Sequence, residues 1–417
     1  MRKKSRQDAQ ASDSSLLFCD LTQSWSEVGG GVRTYLLHKK RHILEATRHR
    51  HLLIIPGAED SVLEEDRSVT ITIKSPRVPG SPNYRLLLRN GAVKRALAEH
   101  RPDLIECQDA YNLPWAAMAH RRRFPEAALV AAYATDFPTV YVARPLSKFL
   151  TGPVARTIGR AGYSYAGMLY RKFDAVYAVS ENGGGSKLRA YGVPNVEVVP
   201  LGVEVGEFGP SCRDPLIRKR LGLTDDQPLI IYAGRLDGEK KPMVVVDAFQ
   251  QLPESLGAKL VLIGEGPLKA EIAARRDPRI HLTGYVRDRR ALAHWLASAD
   301  IYASGMADET FGISIIEAQA SGLPVVGVAA GAMIDRVTPA MGRLGPVNDS
   351  AAMAKNILDV WNGDRRTMGR KACEHALQFS WERSMQQLFG AIYPAAFAHR
   401  DARLHKSSTR VSAAIAA

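Results

Sequence analysis

Asp308-Glu309-Thr310-Phe311-Gly312-Ile313-Ser314-Ile315-Ile316-Glu317-Ala318 runs on into Gln319-Ala320-Ser321-Gly322-Leu323-Pro324-Val325-Val326. Gly312 marks a turn, the apolar run after it reads as the first turns of a helix, and Pro324-Val325-Val326-Gly327 reads as a strand. Two carboxylates, Glu309 in the loop and Glu317 in the helix, stand eight positions apart. A helix side chain leans back toward its own N-terminus, which aims Glu317 at the space before Gly312, on the side of Glu309. The free N–H groups of Gly312, Ile313 and Ser314 face the same space and favour an anion such as phosphate. Carboxylates that accept from hydroxyls, beside N–H groups that hold phosphate, suit a ligand that is part sugar and part phosphate. A solvated pair of glutamates on an ordinary helix fits this stretch alone equally well.

Outward from this stretch, strands recur at Pro228-Leu229-Ile230-Ile231-Tyr232-Ala233-Gly234, at 259–264 and at 280–283, with helical patterns between them. The first half alternates in the same way. Strands are expected at 16–19, 51–55, 69–73, 103–107, 128–133 and 175–179. Alternation of this kind implies parallel sheets covered on both faces, hence an α/β fold of two doubly wound, Rossmann-like domains. Two such halves joined by a linker are expected to form a cleft, with ligands at the carboxyl ends of the strands. After the first strand, Gly29-Gly30-Gly31 precedes a helix opening at Val32, so Gly30 and Gly31 are candidates for close backbone approach to a phosphate or sugar. They do not form G-x-G-x-x-G, and nothing points to a nicotinamide cofactor.

The expected organisation is a disordered lead-in over 1–14, an N-terminal domain over 15–205, a Gly- and Pro-bearing linker over 206–215 and a C-terminal domain over 216–380. A closing helix over 381–399 is expected to pack back on the N-terminal domain, and 400–417 reads as a disordered tail.

A chain of 417 residues suggests two or three domains at roughly one per 150 residues. Apolar residues at 46% and charged residues at 24% are those of a soluble globular protein. Cys19, Cys107, Cys212 and Cys373 have no paired spacing, which argues for a reducing compartment and against a structural metal. No apolar run is long enough to span a bilayer, and the basic start Met1-Arg2-Lys3-Lys4 leads into polar residues, so it does not read as a secretory signal. The net charge of +13 calls for an anionic partner, and no nucleic-acid signature accompanies it. Between Asp136 and Asp174 there is no acidic residue. There Arg144, Lys148, Arg156, Arg160, Arg171 and Lys172 alternate with Tyr141, Phe149, Leu150, Ile158, Tyr163, Tyr165, Met168, Leu169 and Tyr170. This 141–172 segment, with Arg121-Arg122-Arg123, suits an anionic membrane surface, or equally a helix with its aromatics in the core.

Gly234-Arg235-Leu236-Asp237-Gly238-Glu239-Lys240, Gly264-Glu265-Gly266-Pro267, Ala299-Asp300-Ile301-Tyr302-Ala303-Ser304 and the Glu309/Glu317 pair together resemble the retaining nucleotide-sugar glycosyltransferases of family 4, of GT-B fold. The likeness runs from Gly30-Gly31-Val32 to Phe379-Ser380-Trp381-Glu382. It implies that Arg235 and Lys240 grip the donor diphosphate, that Phe311, Gly312 and Ile313 line the donor, that Glu317 accepts from the ribose and that Glu309 contacts the sugar as a catalytic group. Two cations would offset charge building on the leaving diphosphate, and Arg offers a fork that fits phosphate oxygens. No Asp-x-Asp occurs, so a metal-independent reaction without a cofactor is expected.

Tyr133-Ala134-Thr135-Asp136-Phe137-Pro138 resembles the lipid-directed branch that includes sulfoquinovosyl and mannosyl transferases, with Ala134 where those relatives carry a histidine. Asp136 is therefore expected to orient the acceptor, with Thr135 or His120 as substitutes. The implied activity moves a hexose from a UDP- or GDP-sugar to a lipid or glycan hydroxyl at the cytoplasmic membrane face. A soluble acceptor, or a nucleotide-sugar-binding protein impaired by Ala134, are the alternatives.

Overall fold

The computed structural model describes residues 15–26, 30–78, 81–136, 138–139 and 152–416. The lead-in 1–14, Gly29, Tyr141, Arg144, Lys148, Phe149, Leu150 and the side chain of Arg156 lie outside them. The chain divides into two units. Met1–Ala178, Leu188–Glu197 and Met385–Ala417 form the first, and Val179–Lys187 with Val198–Ser384 the second.

The first unit is built on β1 (Leu17–Leu21), β2 (Arg50–Gly57), β3 (Ser61–Glu65), β4 (Ser68–Lys74), β7 (Leu104–Cys107), β8 (Ala128–Tyr133), β9 (Ala175–Ala178) and β10 (Val196–Val198), ordered β10-β9-β8-β7-β1-β2-β4-β3. β1, β2, β4, β7, β8 and β9 run parallel, and β3 pairs antiparallel with β4 at the edge. β5 (Arg77–Val78) and β6 (Ser81–Arg85) make a separate antiparallel ribbon. Helices α1 (Gly31–Ala46), α2 (Asn90–His100), α3 (Leu113–Arg123) and α4 (Gly152–Tyr170) cover the large sheet. β3 escapes a reading by apolar runs because all five of its residues are exposed.

β1 and β7 are neighbours at the point where strand order reverses, and the loops after them are tied by one carboxylate. Asp109 accepts from Thr22 Oγ1 at 2.8 Å, from the Gln23 amide at 2.7 Å and from the Ser24 hydroxyl. Beneath, Lys39 is fully buried between Asp20 at 2.7 Å and Glu106 at 3.0 Å. Glu106 also accepts from Tyr35, Tyr177 and Tyr393.

The second unit carries β11 (Leu229–Ala233), β12 (Lys259–Ile263), β13 (Ile280–Gly284), β14 (Ile301–Ala303), β15 (Val325–Val328) and β16 (Gly342–Gly345) in one parallel sheet. The order β13-β12-β11-β14-β15-β16 reverses between β11 and β14, the position where doubly wound sheets open a crevice at their carboxyl ends. Its helices include α5 (Pro242–Gln250), α6 (Arg289–Ser298), α7 (Ile313–Ala320), α8 (Ser350–Asn362) and α9 (Arg365–Ala376).

Three expectations are corrected. Residues 179–187, read as part of the domain over 15–205, belong to the second unit. Ser180 donates to the Thr310 carbonyl at 2.6 Å, and the Asn182 amide to Asp335 at 2.9 Å. The linker over 206–215 also belongs to that unit and holds short 3₁₀ turns at Val205–Glu207 and Pro210–Cys212. The tail expected to be disordered from 400 is helical, within α10 (Tyr393–Ala416). Residues 400–416 contain neither Gly nor Pro to break a helix. Arg403 donates to the carbonyls of Pro125 and Ala127 and pairs with Asp174 at 3.4 Å, and His399 lies 3.1 Å from the same carboxylate. No described helix is long and apolar enough to cross a membrane.

Helix α4 also sorts the basic aromatic segment. Leu169 and Tyr170 are buried in the core, Tyr163 donates to Asp136, and Tyr165 lies against Trp115 at 2.9 Å. The rings described in this segment are engaged within the unit, so they do not form the lipid-facing row that the composition suggested.

Candidate functional site

The site of the second unit is assembled from loops at the carboxyl ends of β11 and β14. Gly264, after β12, has φ 146°, and a Cβ there would sit 1.9 Å from the Gly234 carbonyl oxygen. Only glycine lets the loops after β11 and β12 meet backbone to backbone. Lys240, on the β11 loop, reaches across to Glu309 on the β14 loop, Nζ to Oε2 at 3.1 Å. Glu309 Oε1 accepts from the Gly312 amide at 3.1 Å. Gly312 has φ 89°, a left-handed conformation suited to glycine, and caps α7 without a side-chain acceptor. Cation, carboxylate and helix N-terminus thus form one chain of bonds at the switch point.

Tyr302, at the middle of β14, lies fully buried with its hydroxyl 2.9 Å from Ser314 Oγ and 3.2 Å from the Ala233 carbonyl. Burial raises its pKa, and the charges of Glu309 and Glu317 raise it further. Both carboxylates therefore act electrostatically on the Tyr302 hydroxyl.

Glu317 is 5% exposed on α7. Its Oε1 accepts from Arg289 Nη2 at 3.0 Å, while no donor among the described residues bonds Oε2. Burial pushes the Glu317 carboxyl above its ordinary pKa, and Arg289 opposes that shift. Arg289 in turn donates through Nε to Glu207 at 2.6 Å and lies 5.0 Å above the Phe208 ring. Neither Arg289 nor Glu207 emerged from sequence reasoning. The available signal was Arg289-Arg290 in the first turn of α6, where the helix dipole disfavours cations and an acidic partner is called for.

Arg235 follows β11 directly, is largely exposed, and donates to Asp237 and, at 3.0 Å, to Glu239. Lys241 adopts φ 49° at the start of α5 and donates to Asn348 at 2.8 Å. Ile313 opens α7 and is half-buried. Phe311, expected to line the donor, packs its ring into the unit. It is 3% exposed, lies 4.7 Å from the Arg336 guanidinium and is edge-on to Phe379, so it pegs the loop from below. Arg336 Nε donates to the Phe311 carbonyl at 3.0 Å, and burial brings the arginine pKa down to about 10.

In the first unit, Gly30 precedes α1 and Gly31 opens it, beside the β1 loop. Asp136, expected to orient an acceptor, is held inside its own unit. It is 0% exposed, and its carboxylate accepts from the Tyr163 hydroxyl at 2.7 Å, the Tyr133 hydroxyl at 3.0 Å and the Thr139 amide at 3.2 Å. His120 is likewise buried, against Phe124. Ala134 lies half-buried just beyond β8.

Residues 29–207 match the model of Glycosyltransferase Family 4, and residues 227–362 that of Glycosyl transferases group 1. The chain belongs to these glycosyltransferases and has the GT-B fold. It is 29% identical over 356 residues to a GDP-mannose-dependent alpha-(1-6)-phosphatidylinositol dimannoside mannosyltransferase of Mycobacterium tuberculosis, covering 83% of this chain and 88% of that one. It is 27% identical over 416 residues to a D-inositol 3-phosphate glycosyltransferase of Xylanimonas cellulosilytica, covering 92% and 96%. The solved sucrose-phosphate synthase of Thermosynechococcus elongatus shares the fold, with a TM-score of 0.72 at 21% identity over 92% of this chain and all of that one.

Proposed function

We propose that the chain is a retaining, metal-independent hexosyltransferase that uses a GDP- or UDP-sugar and a hydroxyl of a lipid or glycan acceptor at the cytoplasmic membrane face. The bond chain Lys240–Glu309–Gly312 beside the open Oε2 of Glu317 carries this reading. A diphosphate fits the cations Lys240 and Arg235 and the amides at the start of α7, and a ribose hydroxyl fits Glu317 Oε2. Arg235 exchanges Asp237 and Glu239 for phosphate oxygens when the donor enters. In the transfer step the anomeric C–O bond breaks with its electron pair passing to the diphosphate. The acceptor oxygen bonds to the same carbon on the same face, and its proton passes to a diphosphate oxygen. The two cations stabilise the charge on the leaving group, the part that a metal ion plays elsewhere. Glu309 is held by Lys240 and the Gly312 amide in the position from which it contacts the sugar.

The mannosyltransferase relative, named for a phosphatidylinositol dimannoside, supports a lipid acceptor and GDP-mannose as donor. The inositol-phosphate relative supports the second reading, a soluble acceptor. The test incubates the full chain with EDTA, radiolabelled GDP-mannose or UDP-glucose, and either membrane lipid or inositol phosphate. Label is expected in the lipid phase with the donor's anomeric configuration kept. Label only in the soluble acceptor would replace the lipid reading, a strict need for a divalent metal would remove metal independence, and donor binding without hydrolysis or transfer would leave a binding protein disabled at Ala134.

A further inference from the structure

The β5–β6 ribbon sets Arg77 directly opposite Arg85. Like charges opposite one another destabilise such a pair, and a two-stranded ribbon is marginal on its own. Arg85 donates to the Ser75 carbonyl at 2.8 Å, whereas Arg77 is exposed and its guanidinium bonds to no described residue. From residue 67 through 98 the chain carries seven basic residues and no acidic one. The acidic groups beside the ribbon are Glu59 and Asp60, and Asp60 is taken up by Arg89 at 2.7 Å.

Apolar surface accompanies this charge. Leu88 is 62% exposed, Tyr84 38% and Trp115 38%. Asn112 Nδ2, one turn before Trp115, donates to the Leu87 carbonyl at 2.7 Å, which joins the start of α3 to the ribbon's exit. All of this lies at one edge of the first unit's sheet. β4 ends at Lys74 just before the ribbon, α1 and α3 begin at that edge, and the Tyr84 hydroxyl stands 3.5 Å from where a Cβ on Gly30 would sit. A second basic cluster, where Arg121, His399 and Arg403 converge on Asp174 with Lys406 beside Arg403 on α10, stands at the opposite edge, where β8 and β9 begin.

We propose that the ribbon arginines, with Leu88 and Trp115, dock the first unit on an anionic lipid bilayer, at the sheet edge that carries Gly30. Cations meet head groups while Leu88 and the exposed part of the Trp115 indole, whose Nε1 stays bonded to Tyr165, enter the interface, and anionic head groups offset the Arg77–Arg85 repulsion. This rests on the lipid-acceptor part of the reading above and names the surface that delivers it.

The discriminating variant is Arg77→Glu. It turns a like-charge pair into an opposite-charge pair, so it is expected to keep or raise Tm while weakening attachment. The full chain is floated at low salt with phosphatidylcholine vesicles, with or without phosphatidylglycerol. Wild type is expected to float only with the anionic vesicles and to be released by salt. Arg77→Glu is expected to bind about tenfold or more weakly, Leu88→Ser more weakly than wild type, and Arg122→Glu with Lys406→Glu, at the other edge, as wild type does. The proposal is overturned if wild type ignores anionic vesicles, if Arg77→Glu binds as wild type, or if only the Arg122/Lys406 variant detaches. A chain that floats through the ribbon yet labels only inositol phosphate would remove the lipid acceptor and keep the docking surface, so the two readings fail separately.

Discussion

Glu317 on α7 of the second unit and Asp136 after β8 of the first are both carboxylates more than nine-tenths buried. Asp136 accepts from two tyrosine hydroxyls and a backbone amide, all supplied by its own unit. Glu317 receives one guanidinium N–H, and no donor among the described residues bonds its second oxygen. Burial of a carboxylate therefore does not mark a site. What separates the two is whether the protein supplies all the donors, because a carboxylate with full internal bonding holds the fold while one left short can bind. Glu309 lies between these cases, bonded to Lys240 and Gly312 but in a loop that faces the switch point.

The largest effect expected from this contrast comes from Lys240→Met. It removes a cation from the diphosphate and strips Glu309 of its partner, so kcat/KM for donor should fall about 10²- to 10³-fold. Steady-state donor hydrolysis and transfer measure it, and a loss below about tenfold would mean that the cation does not act on the leaving group. Asp136→Ala should behave in the opposite sense. Hydrogen bonds to a charged group contribute about 1.5–3 kcal/mol each, and the Tyr133 and Tyr163 hydroxyls would be left without this acceptor, so stability should drop by about 3 kcal/mol. Denaturant unfolding reads the drop, while donor affinity in the folded fraction should stay unchanged. An Asp136→Ala chain of undiminished stability that no longer transfers sugar would restore a direct role in the reaction and break the contrast.

The sequence made the alternation of strands and helices plain, because parallel strands buried on both faces are written as unbroken apolar runs such as Leu229-Ile230-Ile231-Tyr232. Glu309, Gly312 and Glu317 stand out because a glycine turn opening a helix is a local pattern, whereas Lys240 is reached only through the family resemblance of the 234–240 stretch. The pairing of Glu317 with Arg289 spans 28 residues and that of Asp174 with His399 spans 225, and neither partner is marked in its own neighbourhood. Arg403, inside the polar C-terminal segment read as disordered, reaches the same Asp174 across 229 residues, a long-range contact that the helix makes and its own neighbourhood does not announce. Phe311 shows another limit: an apolar residue in a site loop reads the same whether its ring meets a ligand or packs on Arg336. The aromatics of α4 mislead for a related reason, since spacing reveals a helix but not which neighbour takes its apolar face.

Arg289 offers the smallest and most specific test of the contrast, because it touches Glu317 and is not itself placed on the donor. Burial raises the Glu317 pKa above the unfolded value, and the charges acting on it are Arg289, which lowers it, and Glu207, which raises it. From the other elements packed on α7, β15 presents only Val325–Val328 and α9 brings Cys373 Sγ to the Ala320 carbonyl at 3.5 Å. In Arg289→Met the opposing charge is gone, so the carboxyl protonates at higher pH. A ribose hydroxyl donates to the ionised form, hence donor affinity should fall about tenfold near neutrality, with its acid limb displaced upward and kcat little changed. Stability should run the other way. A carboxyl whose folded pKa lies above its unfolded value binds protons more tightly when folded, so stability contributed by Glu317 declines as pH rises from about 4.5 through the folded pKa. Arg289→Lys should return the acid limb toward wild type, because it restores the charge without the fork to Glu207. Titration of GDP and UDP binding across pH measures the limb, and an Arg289→Met profile that weakens uniformly, with no displacement, would reduce Arg289 to a structural tie between α6 and the Val205–Glu207 turn.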